Sequence, residues 1–210
     1  MKFHGLKLVL SGLAAAALSA PAQAYEPKKD WPCVQVKVPE LSPAMMWAGP
    51  ELSGSAADWR KSPKAGTTAK KLIVRRYSEE QVAEFVAGFA GQLGGDERQV
   101  EMTRLFAASF DLVAAERRDV IAGIERFTKR QRELADNVRK TRSELEVSLK
   151  NQDPSDKQLA ERREIEERLN WQTRIFDDRE KSTRFVCEVP TLLEKRLFLI
   201  AREIANNIDG

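Results

Sequence analysis

Apolar residues recur along the second half of the chain in two interleaved series. Phe106, Val113, Val120, Phe127 and Leu134 step by seven, and Phe110, Arg117, Ile124, Gln131, Val138 and Leu145 take the same step four residues later. Alternating steps of four and three make one helical seam, the pattern two helices bury against each other. A returning stretch repeats it, with Ile165, Gln172, Arg179, Val186, Leu193 and Ile200 interleaving with Leu169, Phe176, Thr183, Pro190, Leu197 and Ile204. Reversal at Asn151 and Gln152 sets Val138 opposite Ile165, Leu134 opposite Leu169, Phe127 opposite Phe176, Phe110 opposite Leu193 and Phe106 opposite Leu197. One register thus serves both seams. The predicted fold is all-α, a long antiparallel helical hairpin (97–150 and 154–208) forming a coiled-coil-like arm on a small three- to four-helix base.

Local signals refine these limits. Asp153 is placed to cap the returning helix, Pro154 suits its first position and Asp156 its positive dipole end. Pro190 removes a backbone donor, and Thr191-Leu192-Leu193-Glu194 has capping-box spacing, so a kink or break is expected near 187–191. Ser78-Glu79-Glu80-Gln81 is a second capping box, opening a base helix over 79–93 with Val82, Phe85, Val86, Phe89 and Leu93 on one face. Gly94-Gly95 stops it, and Asp96 with Gln99 opens the outgoing helix. The base core is predicted where this short helix meets Phe106, Phe110, Leu193, Leu197, Ile200 and Ile204.

Two seam positions are charged. Arg117 and Arg179 are expected to lay their stems along the seam and reach flanking acids, Glu116 and Glu188 for the first, Glu125 and Asp178 for the second. Outside the seam, opposite charges stand four apart in Glu125/Lys129, Asp136/Lys140, Glu146/Lys150, Arg162/Glu166 and Glu164/Arg168. Such pairs are worth about 0.2 to 0.5 kcal/mol each and belong on a solvated face. At about 1.5 Å per residue, Glu125 to Asn151 would project roughly 40 Å.

Ahead of residue 78 the helical period is lost. Met1 to Ala24 reads as a cleaved export signal: Lys2 and Lys7 lead, Leu8 to Leu18 is apolar, and Ala22-Gln23-Ala24 has a small-x-small end. The apolar run falls short of the ~20 residues a bilayer needs. Residues 25–77 read as an extended N-terminal segment and linker. Within them Trp31 to Pro39 alternates apolar and polar, and Met45, Met46 and Trp47 lie between Pro43 and Pro50, either as pegs over the base or as the lining of a partner groove. Leu52 to Lys71 reads as an exposed linker anchored locally by Asp58-Trp59-Arg60, and Leu72-Ile73-Val74 as a short extended piece.

Charge and chemistry narrow the function. The chain holds 35 basic and 32 acidic residues, and loss of the signal's two lysines leaves 33 against 32. So small an excess gives no general attraction to nucleic acid or anionic lipid. It is unevenly spread, ten basic against five acidic residues over Tyr25–Tyr77 and 23 against 27 beyond. The front segment is therefore expected to lie on an acidic helical body.

Cys33 and Cys187 are the only cysteines and have no Cys-x-x-Cys context, so in an oxidising compartment they predict one disulfide stapling the front segment to the turn before Pro190. The single histidine, His4, falls in the signal. Histidine triads, histidine metal ligands and covalent haem are thereby excluded from the mature chain. No phosphate loop or calcium loop is present. Glu164, Glu166, Glu167, Asp177 and Asp178 crowd one helix without apolar neighbours to raise a pKa, and read as a solvated face.

No catalytic, cofactor-binding or metal-binding residue is assigned. The expectation is an exported, non-enzymatic protein, periplasmic or secreted, acting as adaptor, scaffold or chaperone by contact with another envelope protein, with self-association open and no nucleic-acid partner or membrane anchor. Trp171, just off the seam, together with Trp47, Met45 and Met46, are its candidate contact residues. The alternative is a small-ligand or lipid binder using a pocket between the base and the Met45–Trp47 segment.

Overall fold

The computed structural model describes residues 30–54 and 58–209; the predicted export signal lies outside the described residues. Among them the regular structure is entirely helical: α1 Pro63–Leu72, α2 Glu79–Ala90, α3 Gly95–Leu149 and α4 Asp156–Asn206, preceded by single 3-10 turns at Pro43–Met45 and Trp59–Lys61. α3 and α4 share the largest interface, α1 packs on α3, and α2 packs on α4. Contacts between the long helices run in reverse order. Ser148 and Glu144 of α3 meet Arg162 and Arg168 of α4, Gln131 meets Phe176, and Arg117 meets Glu194.

These partners depart from the register expected of the seams. Gln131 Nε2, one turn beyond Phe127, donates to the Phe176 carbonyl at 2.8 Å. Arg117 reaches Glu194 rather than Glu116 or Glu188. Each helical side chain leans toward the N-terminus of its own helix, so long chains on opposed helices meet partners displaced in the same sense. Arg179, placed in the seam by its spacing, is exposed. The charge pairs also re-form: Glu125 meets Lys37, Asp136 meets Arg139, and Arg168 crosses to Glu144 at 2.5 Å.

α1 corrects the reading of Leu52–Lys71 as a linker and of Leu72–Val74 as extended. Ser62 caps the helix by accepting from Ala65 N at 3.1 Å, and Pro63 occupies its first turn. The Ser62 hydroxyl also donates to Glu101 of α3, which takes Arg104 Nη1 at 2.5 Å. Ala65, Gly66, Ala69 and Leu72 are buried. Their smallness admits a close approach: a Cβ on Gly66 would lie 3.2 Å from the Trp59 ring, whose Nε1 donates to Asp111 at 2.9 Å.

α2 opens with the reciprocal Ser78/Gln81 capping box. The Ser78 hydroxyl and then the local backbone hold the Glu80 carboxyl below its usual range. α4 opens with a second such box formed by Ser155 and Gln158, so Ser155 rather than Asp153 is its cap. Asp153 instead donates its N–H to Asn151 Oδ1 within the turn. α4 then runs through Pro190 without the expected break, and Pro190 is itself buried.

The core lies at the base. Phe106, Met102, Leu105, Val113, Leu193, Leu197, Ile200 and Ile204 close over α1 and α2 through Leu72, Val82 and Val86, all fully buried. Each such side chain contributes about 1.5 to 3 kcal/mol relative to exposure. Arg196 ties the connection from α1 to α2 onto α4, donating to the carbonyls of Leu72 (2.7 Å), Tyr77 (2.9 Å) and Val74 (3.0 Å). Burial pushes its guanidinium pKa down, and Glu79 opposes the shift.

Candidate interaction surface

Cys33 is bonded to Cys187 across a sequence separation of 154 residues. The chain around Cys33 presents its alternate residues to α3 and α4. Trp31 and Cys33 are buried with Ile121, Ile124 and Cys187. Gln35 donates to the Cys187 carbonyl, and Lys37 pairs with Glu125. Arg117, only 3% exposed, donates at 2.7 Å both to Glu194 and to the Val38 carbonyl. The removal of this cation from water is thus offset by a carboxylate and a backbone acceptor.

The intervening residues point the other way: Val34 is 99% exposed, and Val36 and Val38 are also exposed. The alternation seen in the sequence is real but inverted, because after Cys33 the inward places meet helix carbonyls and carboxylates that need donors. Val34 lines a hollow of about 550 Å³ with Phe176, Thr183, Arg184 and the disulfide.

The residues expected to make partner contacts do not gather in one place. Trp47 lies flat on Phe106 with ring centroids 4.1 Å apart and donates to the Pro50 carbonyl at 2.6 Å. Gly49 lets it fold over, since a Cβ there would stand 2.3 Å from the ring. Met46 packs against the same core. Both are pegs packed on the base core. Met45 is 83% exposed.

Trp171 is 65% exposed, and α4 adds two residues that sequence reasoning missed. Phe185 is 70% exposed and Leu192 is also exposed. At 3.6 residues per turn Trp171, Phe185 and Leu192 fall within about 60° of one another, so one face of α4 carries a broken apolar row. The spacing of Phe185 and Leu192, seven apart and starting about four turns beyond Trp171, was the available signal. Assignment of Val186 to the seam obscured it; Val186 is exposed too.

No group of His, Cys, Asp or Glu among the described residues is arranged to hold a metal, and no helix among them is long and apolar enough to cross a membrane. Comparison with protein-family models, with curated proteins and with solved structures gives no match for this chain.

Proposed function

We propose that the chain is an exported, non-enzymatic envelope protein, periplasmic or secreted, that works by contact with another protein as adaptor, scaffold or chaperone. In this reading the distal parts of α3 and α4 form a coiled-coil-like hairpin arm on the base, and the disulfide staples the N-terminal segment at its root. The disulfide supports an oxidising compartment. The observation that carries the contact reading is the exposure of Trp171 and Phe185 on the same face of α4. Large aromatic side chains left in water on a rigid helix are the residue types that anchor protein interfaces.

The test is site-specific photocrosslinking in the native envelope, with the crosslinker at Trp171 or Phe185 and, as control, at Lys157 near the turn. A discrete partner captured from the first two positions and not the third is expected. Trp171→Ala combined with Phe185→Ala should abolish capture at Leu192 while leaving the far-UV circular dichroism intact. Equal labelling at all three positions, or capture unaffected by the double substitution, would remove the reading.

A further inference from the structure

A second surface stands apart from these residues. Lys61, Lys64, Lys70, Lys71, Arg75 and Arg76 follow one another from the second 3-10 turn to the end of the α1–α2 connection, with no Asp or Glu between Asp58 and Glu79. Lys61 meets Asp58 at 3.7 Å, Lys71 lies 3.4 Å from the Phe85 ring centroid, and Arg76 lies over Tyr77. Among the described residues, Lys64, Lys70 and Arg75 meet no carboxylate. Among the described residues these three cations are therefore not neutralised by an ion pair.

This face borders an open groove of about 550 Å³ between α1 and α2. Lys64, Thr67 and Lys71 line one wall, and Phe85, Gly88 and Phe89 the other, with Glu84 the single carboxylate in the lining. A Cβ on Gly88 would meet nothing within 4 Å, so the groove has room above that residue. No strongly exposed large apolar side chain lies between Asp58 and Leu93, which leaves a bilayer nothing to take up. Single-stranded nucleic acid needs free ring faces for stacking, but Lys71 covers Phe85 and Phe89 is buried.

The geometry points to this groove as the binding site for an acidic peptide segment of a partner protein. Its carboxylates pair with Lys64 and Lys71, and an apolar side chain seats over Gly88. The assignment uses none of the α4 contact residues, so either reading can fail without the other.

A fluorescein-labelled peptide of alternating glutamate and leucine, titrated with the disulfide-bonded mature chain and followed by anisotropy, tests it. Saturable binding that weakens with salt is expected. K64E/K71E and Gly88→Trp should each raise Kd by roughly tenfold, with the far-UV spectrum unchanged. Because Lys71 rests on Phe85, K64E alone replaces the double variant if the latter does not fold. The proposal is overturned if the peptide does not saturate or if Gly88→Trp binds as tightly as the parent. It is equally overturned if phosphatidylglycerol vesicles or oligodeoxythymidine bind in preference to the peptide. A dimer that Gly88→Trp dissolves would assign the groove to a second copy and overturn it as well.

Discussion

The base and the distal stretch are built from the same two helices, yet they are different materials. At the base, α3 and α4 bury Phe106, Leu193, Leu197, Ile200 and Ile204 completely against α1 and α2. Between Glu125 and Val186 the only buried residue is Thr141. The distal pairing rests on half-buried chains and on polar groups, of which Gln131 Oε1, Gln172 Oε1 and Arg162 Nε meet no hydrogen-bond partner among the described residues. Half-buried side chains remove less apolar area from water than fully buried ones, so the distal pair is held with less surplus than the base. Two helices alone cannot enclose side chains from all sides, whereas four can. Stability is concentrated where α1 and α2 cover the pair, and the distal stretch borrows it through helix continuity.

The largest test of this contrast is the disulfide at the boundary between the two regions. Reduction, or Cys33→Ser with Cys187→Ser, should lower stability by up to about 5 kcal/mol in the chain-entropy model, read as a drop in Tm with the low-temperature helical signal preserved. Loss of the helical signal at low temperature would mean that the base does not stand by itself.

Next, Leu197→Ala should cost about 3 to 4 kcal/mol by urea titration, against about 1 kcal/mol for Leu134→Ala in the half-buried seam. Equal costs would erase the distinction between the regions. Arg196→Met strips three carbonyls of their donor and should cost about 2 to 3 kcal/mol, visible as loss of hydrogen-exchange protection at the start of α2. Unchanged protection there would show that the α1–α2 connection is held by α2 packing alone.

The smallest effect concerns Glu80. Its folded pKa is lowered, so its contribution is present above the ordinary carboxylate pKa and is lost as pH falls through the folded value. Glu80→Gln should flatten the acid limb of the stability profile slightly, and a steeper limb would reverse the assigned sign.

What the sequence made legible follows the same division. The helical character of α2, α3 and α4, the Ser78 capping box, the paired cysteines and the pegs Trp47 and Met46 were readable because each rests on local spacing or composition. α1 was not, because its Thr, Lys, Gly and Ala content is also that of a linker. Those residues are small for a packing reason, the close approach of Trp59 to Gly66, that appears only once α3 is in place. Ser62-Pro63 was the overlooked start signal. The inversion at Val34, Val36 and Val38 was unreadable for a related reason: it depends on which groups of α3 and α4 lie beneath. The cationic groove needed two helices, one of them missed.

The clasp between residues 33 and 187 also sets an order of events. A chain made from its N-terminus exposes Trp31 and Cys33 long before Cys187 exists, and Phe106 and Val82 wait likewise for Leu193 to Ile204. The closing piece of both hydrophobic clusters is thus synthesised last. A chain cut just before Cys187 would keep α1, α2, α3 and the first part of α4 in sequence yet leave both clusters open.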